Sequence, residues 1–121
     1  MDIQSIRARL KAALESTGLT VTDGEDARVQ VPALLISQPA GQFIEASGNG
    51  YTLYFEVTAI TRIGSMKQNV EELDAMVQAV ILAADEHFFG FRGCTSYALA
   101  NINGADTPCA VITLSYLEGV Q

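Results

Sequence analysis

The sequence predicts an α+β domain: a mostly antiparallel or mixed sheet packed against two helices, with elements in the order α-β-β-α-β-β. Three observations predict it. Residues 51–63 alternate apolar and polar side chains, as a half-buried strand does. Residues 68–84 carry apolar side chains at helical spacing behind two successive capping signals. Two β-prone runs, 94–102 and 110–117, then flank a turn signal, Asn103-Gly104-Ala105-Asp106-Thr107-Pro108.

The composition fits one domain spanning 1–121. A chain of 121 residues buries roughly two-thirds of its unfolded surface and needs no staples to hold a core. Hydrophobic residues make up 49% and charged residues 17%, which excludes a disordered chain. Mean hydropathy is +0.22, high for a soluble monomer, yet no apolar run approaches the ~18 residues of a membrane span. No membrane partner is expected, and the surplus hydrophobicity is expected in subunit contacts. The net charge of −7, from 14 acidic and 7 basic residues, argues against gripping a nucleic-acid backbone. It suits a channel wall past which DNA slides as cargo. The N-terminus lacks the basic start and apolar core of a secretion signal.

The elements follow in order. Asp2 caps a first helix running to about Glu15 or Ser16, with Ile3, Ile6, Leu10, Ala13 and Leu14 as its apolar stripe. Gly18 ends it. Leu19 to Thr22 is a short extended piece, and Asp23 to Asp26 a polar turn. Val29 to Ser37 is the next strand; Pro32 cannot donate to a ladder, so an edge or a strand start is expected there. Gln38 to Gly50 reads as a long glycine-bearing loop holding two large apolar groups, Phe43 and Ile44.

In the alternating strand, Tyr51, Leu53, Phe55, Val57, Ala59 and Ile63 form the apolar face, interrupted by Thr61. Thr52, Tyr54, Glu56, Thr58 and Arg62 form the polar face, with Ile60 the exception. Ser65 with Gln68, and Asn69 with Glu72, each fit a capping box. In the helix that follows, Val70, Leu73, Val77, Val80, Ile81 and Ala84 share one arc, widened by Met76 and Ala83. Ala75, Ala79 and Leu82 lie opposite, and only Glu71, Asp74, Gln78 and Asp85 make a clear polar stripe. That is more apolar circumference than a helix resting on one sheet needs. Either the helix lies between two layers, or its small-residue side meets a neighbouring subunit. In the last strand Ala110, Ile112, Leu114 and Tyr116 make one apolar face.

Little of the chain points to catalysis. His87 is the only histidine, and zinc wants several nitrogen or sulfur ligands at set spacings; a residue favoured by the C-terminal dipole of its helix is the simpler account. In a hairpin turning near Ala105, Cys109 faces Asn101 and Cys94 lies near Tyr116, about 23 Å away along the strand. No disulfide spans that, so both thiols are expected reduced, in cytoplasm. Gly48 and Gly50 precede a strand rather than a helix, the wrong order for a phosphate cradle, and Ser47 lacks the strand–elbow–helix setting of a nucleophile. Glu71, Glu72 and Asp74 read as solvated acids of a first helical turn. No cofactor or metal is expected.

The informative side chains are apolar groups on loops. Phe43 and Ile44 are candidate partner contacts, since such groups often anchor interfaces. For Phe88 to Phe91, core packing is the favoured reading. Arg62 and Lys67, near the strand-to-helix junction, read first as ordinary surface charges and second as partners for a neighbour's carboxylates; with the surplus helix side of Ala75, Ala79 and Leu82 they complete the candidate interface.

The layout as a whole carries a resemblance. An N-terminal helix leads to Val-Pro-Ala-Leu-Leu-Ile, then a long glycine-bearing loop, then Tyr-Thr-Leu-Tyr-Phe-Glu-Val-Thr-Ala-Ile-Thr. The helix Asn-Val-Glu-Glu-Leu-Asp-Ala-Met-Val and two strands ending Ala-Val-Ile-Thr-Leu-Ser-Tyr-Leu follow. This element order resembles the tail-terminator, or tail-completion, proteins of tailed bacteriophages and similar small neck proteins. The resemblance implies a non-enzymatic virion subunit, assembled in the host cytoplasm into a ring, usually a hexamer. Such a ring caps the tail tube protein, stops tube growth and meets the head connector or neck protein. By position, the loop around Phe43 and Ile44 matches the loop such proteins use for neighbour or tube contacts. The alternative is a dimeric α+β module that binds a small molecule or peptide in an apolar pocket.

Overall fold

The computed structural model describes residues 2–22, 30–37, 43–62 and 64–119. They form a single α+β domain of two helices and one seven-stranded mixed sheet. Helix α1 (Ile3–Glu15) starts where the Asp2 carboxylate accepts the Ser5 N–H at 3.1 Å, and it buries Ile6, Leu10, Ala13 and Leu14. The chain then leaves the helix through Gly18, whose φ of 83° suits a residue without Cβ. Strands β1 (Thr20–Thr22), β2 (Ala33–Ser37), β3 (Ile44–Ser47) and β4 (Gly50–Ile60) precede helix α2 (Met66–Glu86). Strands β5 (Gly90–Cys94), β6 (Ala98–Ile102) and β7 (Ala105–Gly119) follow it.

Two long strands form the spine of the sheet. β4 and β7 pair antiparallel along their whole common length, from Gly50 opposite Gly119 to Ile60 opposite Cys109. On the free edge of β4, β3 covers residues 50–53 and β2 covers residues 56–60. On the free edge of β7, β6 covers residues 105–109 and β5 residues 112–115. β1 adds a short parallel strand outside β2. The spine is thus flanked on each side by two short strands laid end to end.

The period-2 pattern sets which face is buried. Leu53, Phe55, Val57 and Ala59 on β4 stand opposite Tyr116, Leu114, Ile112 and Ala110 on β7. Of these, all but the half-buried Tyr116 are at most 1% exposed. Leu34 and Ile36 of β2 continue the face, and Leu10, Leu14, Leu73, Met76 and Val80 of the two helices close it into one core. Each large apolar side chain buried there contributes roughly 1.5–3 kcal/mol. Four aromatic rings cross this core in edge or tilted contacts: Phe43 to Phe55 at 5.6 Å, Phe55 to Phe89 at 6.2 Å and Phe89 to Tyr116 at 5.2 Å.

Several sequence expectations change. Within the expected loop 38–50, residues 44–47 form β3 and close a tight hairpin onto β4 through Gly48 and Asn49; residues 38–42 lie outside the described residues, as do Asp23 to Asp26, Val29 and Ile63. The expected strand 94–102 is two strands, separated by Thr95, Ser96 and Tyr97. The turn is two residues, Asn103 and Gly104, both at positive φ, so β7 begins at Ala105 and absorbs Pro108. Cys109 therefore pairs with Ala98 and Cys94 with Ile112. Cys94 and Cys109 are thus offset by three β7 positions, roughly 10 Å along the strand rather than about 23 Å, and both are free.

Helix α2 begins two residues earlier than expected, at Met66, so Glu71, Glu72 and Asp74 lie beyond its first turn. Its buried residues are Leu73, Met76, Val80, Ala83 and Ala84. That arc is displaced toward Met76 and Ala83 because α1 packs against one flank while the sheet lies beneath. Part of the surplus apolar surface is therefore covered within the chain.

Candidate assembly surfaces

Helix α2 is held at both ends. At its start the Ser65 hydroxyl accepts the Gln68 N–H at 3.2 Å, while the Gln68 side chain accepts the Ser65 N–H at 3.3 Å. Of the two capping boxes in the sequence, this one is used. At its end the Phe89 N–H reaches the Ala84 carbonyl at 2.8 Å and the Phe88 N–H reaches Asp85 at 3.2 Å. These two bonds make a Schellman motif, whose C′ residue adopts the left-handed conformation and is usually glycine. Here it is Phe88, at φ 67°. His87 caps the helix, with Nδ1 2.8 Å from the Ala83 carbonyl. His87 thus stands at the C-terminal end of its helix, where the sequence places it.

The flank of α2 that faces the β5–β6 connection, β6 and the start of β7 is apolar and open. Gly64, Met66, Val70 and Leu73 on the helix side, with Tyr97, Leu99 and Pro108 on the strand side, line a groove of about 480 Å³. Met66 is 83% exposed and Leu99 66%, with Val70 and Tyr97 also exposed. The Tyr97 hydroxyl donates to the Asp74 carboxylate at 2.5 Å, which fixes the wall between helix and strands. Burial of the ring, then the bond to Asp74 and its negative charge, push the Tyr97 phenol up to about 12. At the other end of α2, Phe88 is 82% exposed. Phe91 is exposed as well, whereas Phe89 is core. Core packing, expected for residues 88–91 as a group, thus holds for Phe89, while Phe88 and Phe91 leave much of their rings in solvent.

The sequence candidates fall into three places. Phe43 and Ile44 are half-buried against the core, on the edge of β4 remote from β7. Phe43 lies edge-on to Phe55 and has the Arg7 guanidinium 5.7 Å from its ring centre. Arg62 and Lys67 lie exposed beside the start of α2, with Arg62 Nε 4.0 Å from Glu72. Ala75 and Ala79 line a shallow groove of about 270 Å³ with Thr17, Leu19 and Pro32, beside the exit from α1. Leu82 is 65% exposed. Met66, Tyr97 and Leu99 were not singled out from sequence. The signal for Met66 was present, as a large apolar side chain directly after the Ser65 cap.

Chemistry beyond contact is sparse. Among the described residues no three His, Cys, Asp or Glu side chains gather as a metal site. Burial pushes the thiols of Cys94 and Cys109 up, away from the reactive thiolate. Thr61 Oγ1 and Glu72 Oε1 are buried without a hydrogen-bond partner among the described residues. No described helix is long and apolar enough to cross a membrane. No protein-family model matches the chain, and no curated protein matches it.

Proposed function

We propose that the chain is a structural subunit of a bacteriophage tail or neck, assembling into a homomeric ring on the head-proximal end of the tail tube. The observation that supports it best is the open apolar flank of α2, where Met66, Val70, Tyr97 and Leu99 line one continuous groove. Exposed apolar surface rimmed by polar residues marks protein contact sites. The role is geometric: a heterologous contact is repeated until the ring closes, and tube growth stops there. The net charge of −7 keeps DNA moving through such a ring rather than bound to it. The partners are further copies of the chain, the tail tube protein and the head connector or neck protein; the place is the virion, after assembly in the host cytoplasm. The activity is not enzymatic and uses no cofactor.

Native mass spectrometry at micromolar concentration tests it, with about six subunits expected for a closed ring. A strictly monomeric chain that also forms no ring on added tail tubes overturns it. The groove supports one second reading, a dimeric module holding a peptide or small molecule, because its volume falls within the range of ligand pockets. A dimer carrying a co-purified ligand is the outcome that favours that reading.

A further inference from the structure

The two ends of α2 differ in chemistry in a way that fits one copy of the chain to the next. Its first turn holds Lys67 and no acidic residue; Arg62, just before it, is paired with Glu72, and Glu71 follows in the second turn. Its last turn holds Asp85 and Glu86, and no basic residue. Both placements oppose the helix dipole, which favours acids at the start and bases at the end. Lys67 therefore adds to the positive partial charge at the start, and Asp85 and Glu86 add to the negative partial charge at the end. Beside the positive end lies the apolar groove of Met66, Val70, Tyr97 and Leu99. Beside the negative end projects Phe88, a bulky ring 82% exposed on a left-handed backbone position that glycine would fill at lower cost. The Schellman bonds and the buried Phe89 hold the backbone there, while the Phe88 ring itself is left in solvent. Arg92, in the irregular stretch of β5, is the one cation in the sequence shortly after this end.

We infer that Phe88 of one copy seats in the Met66–Val70–Tyr97–Leu99 groove of the next, with Asp85 and Glu86 facing Lys67 and the positive start of the helix. The contact joins two different patches about 32 Å apart along a helix of 21 residues. It is therefore heterologous and propagates head to tail, as a ring requires. A buried aromatic knob surrounded by complementary charge is also the usual composition of an interface anchor. The inference rests on the reading of the chain as a ring subunit and names the contact that reading needs.

The test uses two full-length variants, Phe88→Gly without the knob and Leu99→Glu with a blocked groove. Both changed side chains are exposed, and circular dichroism with a thermal melt confirms that each variant folds. Each variant alone is expected to associate about tenfold or more weakly than the wild type, as loss of an anchor does. Mixed one to one, the two are expected to form a heterodimer and stop there, because one intact knob meets one intact groove and no further contact exists. A wild-type ring with both variants still forming rings overturns this contact and leaves the structural role standing. Variants that lose association but give no heterodimer when mixed also overturn it. A wild-type chain that stays monomeric overturns the contact, and if it also forms no ring on added tail tubes the structural role falls with it.

Discussion

Tyr97 donates its hydroxyl to Asp74 across the gap between the β5–β6 connection and the third turn of α2, at 2.5 Å. That bond gives the apolar groove a wall at a defined distance from the helix. Burial, the bond and the Asp74 charge all favour the neutral phenol, so the Tyr97 pKa in the fold, about 12, lies above its unfolded value. The stability this linkage supplies is complete below the unfolded pKa and is lost as pH rises through the folded one. A spectrophotometric titration is expected to show a phenolate component appearing near pH 12. That component is absent from Tyr97→Phe, and in Asp74→Asn it moves to lower pH. An unchanged titration in Tyr97→Phe would show that the late component belongs elsewhere.

Phe89 is the point at which helix exit and sheet meet. Its ring contacts Phe55 and Tyr116, and it is 2% exposed. Phe89→Ala removes contacts on both sides and leaves a cavity between α2 and the spine of the sheet. The expected loss is about 3–5 kcal/mol in urea unfolding. Phe43→Ala, at the half-buried end of the same row of rings, is expected to cost less. Equal costs would mean that Phe43 is as fully packed as Phe89.

Phe88→Gly is expected to move stability and association in opposite directions. Glycine relieves the left-handed backbone, worth about 1–2 kcal/mol for an L residue. It returns part of that through the freer unfolded chain, so a net gain of about 0.5–1 kcal/mol is expected in urea unfolding. Glu86→Lys follows the same logic: a cation in the last turn suits the helix dipole by about 0.3–1 kcal/mol at low salt while removing negative charge from the proposed contact. A variant that is more stable yet assembles less separates a functional residue from a structural one. Loss of stability in both variants would show that these side chains serve the fold.

The sequence carried some of this fold plainly and some not at all. The β4 register was legible because alternation from Leu53 to Ala59 is a property of the strand itself, and Ser65 with Gln68 marked a helix start by local hydrogen bonding alone. Residues 44–47, Ile-Glu-Ala-Ser, gave no such signal: four residues hold barely two periods, and their strand character comes from pairing with β4. The break at Thr95 to Tyr97 was hidden for a related reason. Residues 94–102 hold no Gly or Pro to mark a break, and what divides them is that β5 and β6 must share one edge of β7. For the interface, the helical wheel counted apolar residues correctly but could not place α1. Ala79 looked unpartnered on the wheel and is half-buried beside Thr17, Leu19 and Pro32. The groove lined by Val70, Tyr97 and Leu99 was invisible because its two walls are about 30 residues apart in sequence and meet only through the sheet.

Ala79 therefore separates the two flanks of α2. Ala79→Arg places a long cationic side chain against Thr17, Leu19 and Pro32, in a groove that is shallow and open. Part of the chain can escape to solvent, so the expected cost to folding is about 1–2 kcal/mol, below that of a fully buried overpacked site. If neighbours meet on the β5–β6 flank, the folded fraction of Ala79→Arg keeps its native mass, while Val70→Glu, on the opposite side of the same helix, loses it. Sedimentation velocity on the two variants, each at a temperature where it is folded, decides the matter. A disassembled Ala79→Arg with an unchanged thermal melt would move the neighbour to the α1 side and put Ala75, Ala79 and Leu82 at the contact instead.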